Sequence, residues 1–342
     1  MRLNFQTEKQ IVLNFYDDLQ KSKTTDIPEV MTKHCSEDLL WRGFHPFNEI
    51  VGSKNVGIQF WQPLFSSLVN AQRRMDIFLA GFNEIKGNEG IWIVSMGNIL
   101  GLFDFPWIGI KPTRKLSMLR YCEFNKVTAG KITETAMFFD IPHLMIQTGL
   151  MPFPPATGSH LVQPGPISHD GLMFEKQNPA QGKLTKKAIE DMINDLKTWK
   201  TTKGETLVEE LRRTWNEDMI WWGPAGIGAT YTIERYAKQH SGPFREGFKN
   251  RKFNGHVCRV AEGNYGGFFG WPNLTLTPSG GFMGMPASQA PGDMRVIDMY
   301  RIENNKLSEN WVFIDLLHFW MMQGVDILKR TIEINSDEPD IH

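Results

Sequence analysis

Cysteine is scarce in this chain. Cys35, Cys122 and Cys258 are the only three, too few and too scattered for a disulfide framework or a metal-ligand spacing. No apolar run approaches the ~20 residues of a membrane span, and the opening segment 1–6 has none of the apolar core of a secretory signal. A reducing, cytoplasmic setting with no membrane partner is the expectation. An excess of one charge is missing too. Lys and Arg number 37 against 38 Asp and Glu, so no basic surplus exists to neutralise phosphates, and nucleic acid is not an expected partner. The nine histidines are dispersed, and neither a metal cluster nor a Ser/His/Asp order emerges from them. What the chain does have is bulk: 23 Phe, 11 Trp and 17 Met. Such side chains either fill two small cores or line cavities for a small apolar molecule.

The chain is written twice. Ser36-Glu37-Asp38-Leu39-Leu40-Trp41-Arg42-Gly43 returns 180 positions later as Asn216-Glu217-Asp218-Met219-Ile220-Trp221-Trp222-Gly223. The stretch from Arg120 to Gly149 returns 175 positions later, with Arg120/Arg295, Lys131/Lys306, Glu134/Glu309, Phe138/Phe313, Asp140/Asp315, His143/His318 and Gly149/Gly324 identical. Chance supplies about two such identities at ordinary residue frequencies. A repeat this long is a duplicated domain and not a solenoid unit. The first copy is placed at 1–150 and the second at 184–330. A Pro/Gly-rich linker at 151–183 joins them, long enough to lie over one domain, and an acidic tail at 331–342 follows.

Each copy opens with helices and closes with strands. Amphipathic spacing predicts first helices at Glu8–Gln20 and Thr185–Trp199. Second helices are expected at Ile27–Cys35 and Glu205–Trp215, and third helices at Ser53–Leu68 and Thr232–Phe248. Short strands fall at Asp38–Trp41 and Asp218–Trp221. Later apolar runs lie at 73–82, 90–102, 115–125 and 131–139, and again at 253–261, 266–270, 294–302 and 306–314. Short closing helices fall at Pro142–Gly149 and Leu316–Lys329. This order is that of an α+β fold.

The closing hairpin turns at Asn304-Asn305, with Ala129-Gly130 as its counterpart. A regular ladder from that turn pairs Glu303 with Lys306, Asp298 with Trp311 and Arg295 with Ile314. It places Arg295, Asn310 and Val312 on one face, and Asp298, Trp311 and Asp315 on the other. Both faces are apolar, so each is expected to meet other protein, one a helix-covered interior and the other a neighbouring sheet. Two such copies in one chain form a built-in pseudo-dimer.

The run Asn304-Asn305-Lys306-Leu307-Ser308-Glu309-Asn310-Trp311, continuing to Ile314-Asp315 and Met322-Gln323-Gly324, resembles the closing segment of the SnoaL-like polyketide cyclase family. Gly130-Lys131-Ile132-Thr133-Glu134 through Asp140 matches it more loosely. The resemblance implies two tandem cone-shaped domains of the nuclear-transport-factor-2-like superfamily, each three helices packed on a curved antiparallel sheet. It also implies an acid/base reaction on a small apolar carbonyl compound, such as aldol cyclisation, isomerisation or dehydration, with no metal or organic cofactor. The family's acid follows the motif Trp; here that position is Val312, and Met137 in the first copy. The family's His before that Trp is Asn310 and Thr135.

The duplicated ionisable pairs are Asp140 with His143 and Asp315 with His318. They read either as catalytic acid/base pairs or as helix N-caps with a histidine in the first turn. Arg120 and Arg295 fall on the face that the family uses for its cavity, where a guanidinium would grip an oxyanion; the alternative is an internal ion pair. Asp298 reads as a pocket-wall carboxylate or as a partnered acid between sheets. Trp41, Trp221 and Asn310 are further candidate substrate contacts, with plain core the alternative for the two indoles. A non-catalytic small-molecule binding protein and a purely structural pseudo-dimer remain the competing readings. The second copy, closer to the family motif, is favoured as the active one.

Overall fold

The computed structural model describes residues 4–198 and 204–336. Trp199 and the last six tail residues therefore lie outside the described residues. In the first copy a helix (Gln6–Lys21) buries Val12, Phe15, Tyr16 and Leu19 along one stripe. A second helix (Ile27–His34) follows, opened by Pro28. Strands β1 (Cys35–Gly43) and β2 (Asn48–Val51) come next, then a third helix over 53–67 whose middle, Gly57–Trp61, widens into a π turn. Gly57 is required there, because a Cβ would lie 2.8 Å from Pro28 Cα of the second helix. Long strands β3 (Leu68–Asn83), β4 (Gly90–Phe103), β5 (Leu116–Thr128) and β6 (Lys131–Phe139) complete a six-stranded sheet ordered β2-β1-β6-β5-β4-β3. A closing helix (Ile141–Gln147) ends the copy.

The second copy repeats this order. Its first helix is Pro179–Thr198 and its second is short, Leu207–Leu211, fixed by a Thr206/Glu209 capping box. The expectation of a helix reaching Trp215 fails because Trp215 already begins β7 (Trp215–Trp222). Strand β8 (Ala229–Tyr231), a third helix over 233–247 with its π turn at Ala237–Ser241, and β9 (Phe248–Phe253) follow. Then come β10 (Cys258–Glu262), β11 (Tyr265–Phe269), β12 (Leu274–Pro278), β13 (Gly292–Met294), β14 (Val296–Glu303) and β15 (Lys306–Ile314). Here the outer strands break into two sheets, β10-β11-β14-β15-β7-β8 and β13-β12-β9. Helices Leu316–Met322 and Ile327–Ser336 end the described chain, so 331–336 are helical and not a frayed tail.

Both six-stranded sheets are antiparallel except at one point, where the strand after the second helix runs parallel to the last strand: β1 beside β6, and β7 beside β15. The helices cover the concave face of each sheet. The other faces pack against each other, with Phe269 of the second copy touching Trp92, Phe124 and Phe138 of the first at 5.1–5.8 Å between ring centroids. The chain is thus two tandem α+β cones, back to back. The segment between them runs across the second copy, where Pro164 accepts from the Trp311 indole and the Ile167 N–H donates to Glu309. It then pairs with the first copy, where Phe78 and Gly171 exchange a backbone hydrogen bond of 2.9 Å. Crossing both bodies, it gives its backbone polar groups partners that a free linker would leave to water.

Candidate functional site

The closing hairpin decides which side chains meet. The turn lies where expected and Glu303 pairs with Lys306, but the ladder slips between Arg301 and Ile302, so that Arg301 faces Glu309 and Asp298 faces Val312. The first copy slips likewise between Lys126 and Val127. One extra residue, at Ser308 and at Thr133, reverses which face each downstream residue of the last strand shares with its neighbour strand. The sequence-based pairing of Asp298 with Trp311 is therefore corrected. Asp298 shares the concave, helix-covered face with Val296, Tyr300, Asn310, Val312 and Ile314, while Arg295 and Asp315 lie outside it.

That concave face of the second copy encloses a cavity of about 140 Å³. Its floor is the strand face just named. Its walls are Met192 and Ile193 of the first helix, Trp215 and Trp221 of β7, and Tyr236, His240 and Phe244 of the third helix. Lys197, Arg251, Phe253 and His256, which keep partial exposure, mark its outer end. Trp221 can swing its indole back across the sheet because residue 223 is glycine; a Cβ there would collide with the ring, and Gly43 plays the same part for Trp41. This is the physical content of the duplicated Trp-x-Gly.

Asp298 is the acid of this cavity. Asn310 Nδ2 donates to its Oδ1 at 3.3 Å, and no cation pairs with it among the described residues. The carboxyl is only partly exposed, reached through the cavity and otherwise enclosed by protein. Burial lifts its pKa to about 7, against the opposing hydrogen bonds from Asn310 and Tyr300. A carboxyl with that pKa both takes and returns protons near neutrality. Of the two guanidiniums in the lining, Arg245 is held bidentately by Glu210 at 2.6 and 3.0 Å, and Arg251 donates to the carbonyls of Leu196 and Lys197. Burial pushes His240 and His256 down to about 3, so both are neutral rings. No group of His, Cys, Asp and Glu able to hold a metal ion occurs among the described residues.

The first copy has the same frame with its interior filled. Arg73 enters the cone, its guanidinium 3.8 Å from the Tyr16 ring and 4.6 Å from Tyr121, and donates to Glu123 at 2.8 Å. Tyr121 bonds Ser95 at 2.7 Å, and Asn125 links Tyr16 to Thr135. Glu123 is the counterpart of Asp298, but it is a neutralised partner in a closed polar chain. By the internal alignment Tyr16, Trp61, Arg73 and Tyr121 correspond to Ile193, Ser241, Phe253 and Val296, all four of which line the cavity of the second copy. The space that opens there is what these exchanges release.

The pairs singled out as catalytic lie at the seam between the copies. Asp140 caps the closing helix, its Oδ1 accepting from His143 N at 3.1 Å, while Oδ2 accepts from Ala225 N of the second copy at 2.9 Å. Asp315 mirrors it: Oδ1 takes His318 N at 3.2 Å and Oδ2 takes His45 N of the first copy at 3.0 Å. Arg120 approaches Asp140 at 3.7 Å and donates across the interface to the carbonyls of Val312 and Trp222. Arg295 reaches Asp315 at 3.3 Å and Asn48 of the first copy at 2.7 Å. Asp140, Asp315, Arg120 and Arg295 thus form two pseudosymmetric clamps between the copies, where every carboxylate oxygen meets a backbone donor or an arginine, and none of the four lines the second-copy cavity. His143 and His318 contribute their N–H groups to these caps, and burial pushes both rings below the ordinary histidine pKa, His318 to about 4. Trp41 packs against Phe60 at 4.7 Å, tilted by 38°, in the filled cone. Of the candidates, Asp298, Asn310 and Trp221 come together in the cavity. Sequence reasoning missed Tyr236, Tyr300 and His240. His240 had a signal in the repeat itself, since its counterpart is Phe60.

The clamp makes a stability prediction. Asp140→Ala strips the acceptor from two buried N–H groups and the counter-charge from Arg120, and should cost about 2–4 kcal/mol. Urea unfolding reads this directly, and an unchanged midpoint would remove Asp140 from the clamp.

No family model matches the chain, and no curated protein matches it in sequence. Solved structures do. A candidate SnoaL-like polyketide cyclase from Jannaschia sp. CCS1 is 15% identical, with 45% of this chain covering 97% of that one at a TM-score of 0.36. A candidate polyketide cyclase from Streptomyces antibioticus is 12% identical over 41% of this chain and 97% of its own, at 0.33. An NTF2-like protein from Burkholderia xenovorans LB400 is 13% identical over 41% and 96%, also at 0.33. Each match spans less than half of this chain and nearly the whole of the other.

Proposed function

We propose that the chain is an acid/base enzyme of polyketide-cyclase type that moves a proton next to the carbonyl of a small, largely apolar compound in the cavity of its second copy. The observation that supports this reading is Asp298, an acid without a cationic partner facing an apolar chamber. Asp298 takes the proton from the carbon beside the carbonyl and returns it at the new position or to the new oxygen. Asn310 and the Tyr300 phenol donate to the carboxyl and hold it in position. Apolar walls exclude water, which strengthens each of those contacts. The first copy, with its cone filled, acts as a fixed partner that braces the sheet of the second through the two clamps.

The test is proton exchange. Cyclohexanone held in deuterium oxide with the protein should lose its α-proton NMR signal faster than in buffer. An exchange rate equal to the buffer rate, for cyclohexanone and for a panel of other monocyclic ketones, would leave the binding-protein reading in its place.

A further inference from the structure

His240 is buried and lines the cavity, yet neither ring nitrogen has a hydrogen-bond partner among the described residues, and Nδ1 is fully enclosed. Its ring lies flat on the Trp221 indole, 3.9 Å between centroids and 19° between planes. The π turn at Ala237–Ser241 carries it there, as the one at Gly57–Trp61 carries Phe60 in the first copy. In the filled first cone the corresponding residue is Phe60, which meets Trp41 at 4.7 Å between centroids, tilted by 38°. A phenyl ring is thus accommodated at this position beside the same indole. Burying an imidazole at this spot without a partner is destabilising, and the exchange is found in the copy whose cone is open. A ligand is the partner that Nε2, the ring nitrogen not enclosed by protein, lacks.

We infer that His240 is a substrate-recognition residue, and that the cavity takes a planar monocyclic compound whose oxygen substituent hydrogen-bonds the neutral imidazole. Size supports the class: an apolar cavity of about 150 Å³ admits a benzene-sized molecule, and this one measures about 140 Å³. Shape does too, since Trp221, Tyr236 and Phe244 present flat surfaces around His240. An oxygen bonded to His240 holds the ring in the chamber that Asp298 also lines. This deepens the proposed function and rests on the second-copy cavity being the working site.

Phenol and toluene, nearly equal in size, separate the contributions. The full chain should bind both, with phenol about tenfold tighter, the worth of one hydrogen bond to a buried group. His240→Phe should keep toluene affinity and lose the phenol preference, whereas a merely structural role would weaken both ligands together. The first copy shows that phenylalanine packs here, so the variant is expected to fold, and thermal unfolding checks that it does. Equal affinity for phenol and toluene in the unaltered protein, or an undiminished preference in His240→Phe, overturns the role of His240. Binding of neither probe overturns the ligand class. Loss of ketone exchange with the phenol preference intact would instead defeat the proton-transfer reading and spare this one.

Discussion

Asp298→Asn should lower cyclohexanone α-proton exchange by at least about a hundredfold, the ordinary worth of a positioned general base. Asparagine keeps the volume and the hydrogen bond to Asn310 but cannot take a proton. The unaltered protein should gain activity as pH rises, with a midpoint near the Asp298 pKa of about 7. Among the other titratable groups in the wall, His240 and His256 are neutral well below that range. Tyr236 and Tyr300 are raised above the ordinary phenol value by burial, so neither contributes a second step there. Burial draws Arg251 down to about 10, so it stays cationic near neutrality. A pH-independent rate, or an active asparagine variant, would sink the assignment.

The same substitution should stabilise the fold. Asp298 has a folded-state pKa of about 7 against 3.8 for the free group. The folded state therefore prefers the protonated form, and the penalty grows as pH rises from 4 and is complete above 7. That gap corresponds to a penalty on the order of 4 kcal/mol at pH 8. Asp298→Asn removes it, so the variant should outlast the parent in urea at pH 8 and lose that advantage near pH 4.

The second large effect concerns the filled cone. Arg73→Met should cost about 3–5 kcal/mol, because it leaves Glu123 charged and buried with its cationic partner gone. The double variant Arg73→Met with Glu123→Gln should recover most of that loss, since no uncompensated charge then remains. Guanidinium chloride unfolding of the two variants measures both changes. If the single and double variants are equally unstable, Arg73 supports the first copy through packing over Tyr16 and Tyr121 and not through its charge.

Much of the architecture was legible in the residues. The duplication, the helices-then-strands order and the turns at Ala129-Gly130 and Asn304-Asn305 follow from local pattern and from the chain's likeness to itself. The cap reading of Asp140 and Asp315 was visible too, because an Asp before a short apolar helix has a local use for its oxygens. What stayed hidden was which residues share a cavity. A single bulge in each closing hairpin turns the last strand over, and a bulge is a compromise of the whole sheet that no dipeptide announces. It moves Asp298 toward Asn310 and leaves Arg295 to the interface. The difference between an open and a filled cone was equally out of reach. Tyr16, Trp61, Arg73 and Tyr121 come from a helix, a second helix and two strands, and their counterparts are unremarkable one at a time. Sequence by itself determined that there are two like domains and how each is wound. Only the tertiary structure decided that one is packed shut and the other holds an acid in a chamber, because a cavity is a property of side chains that meet from distant parts of the chain.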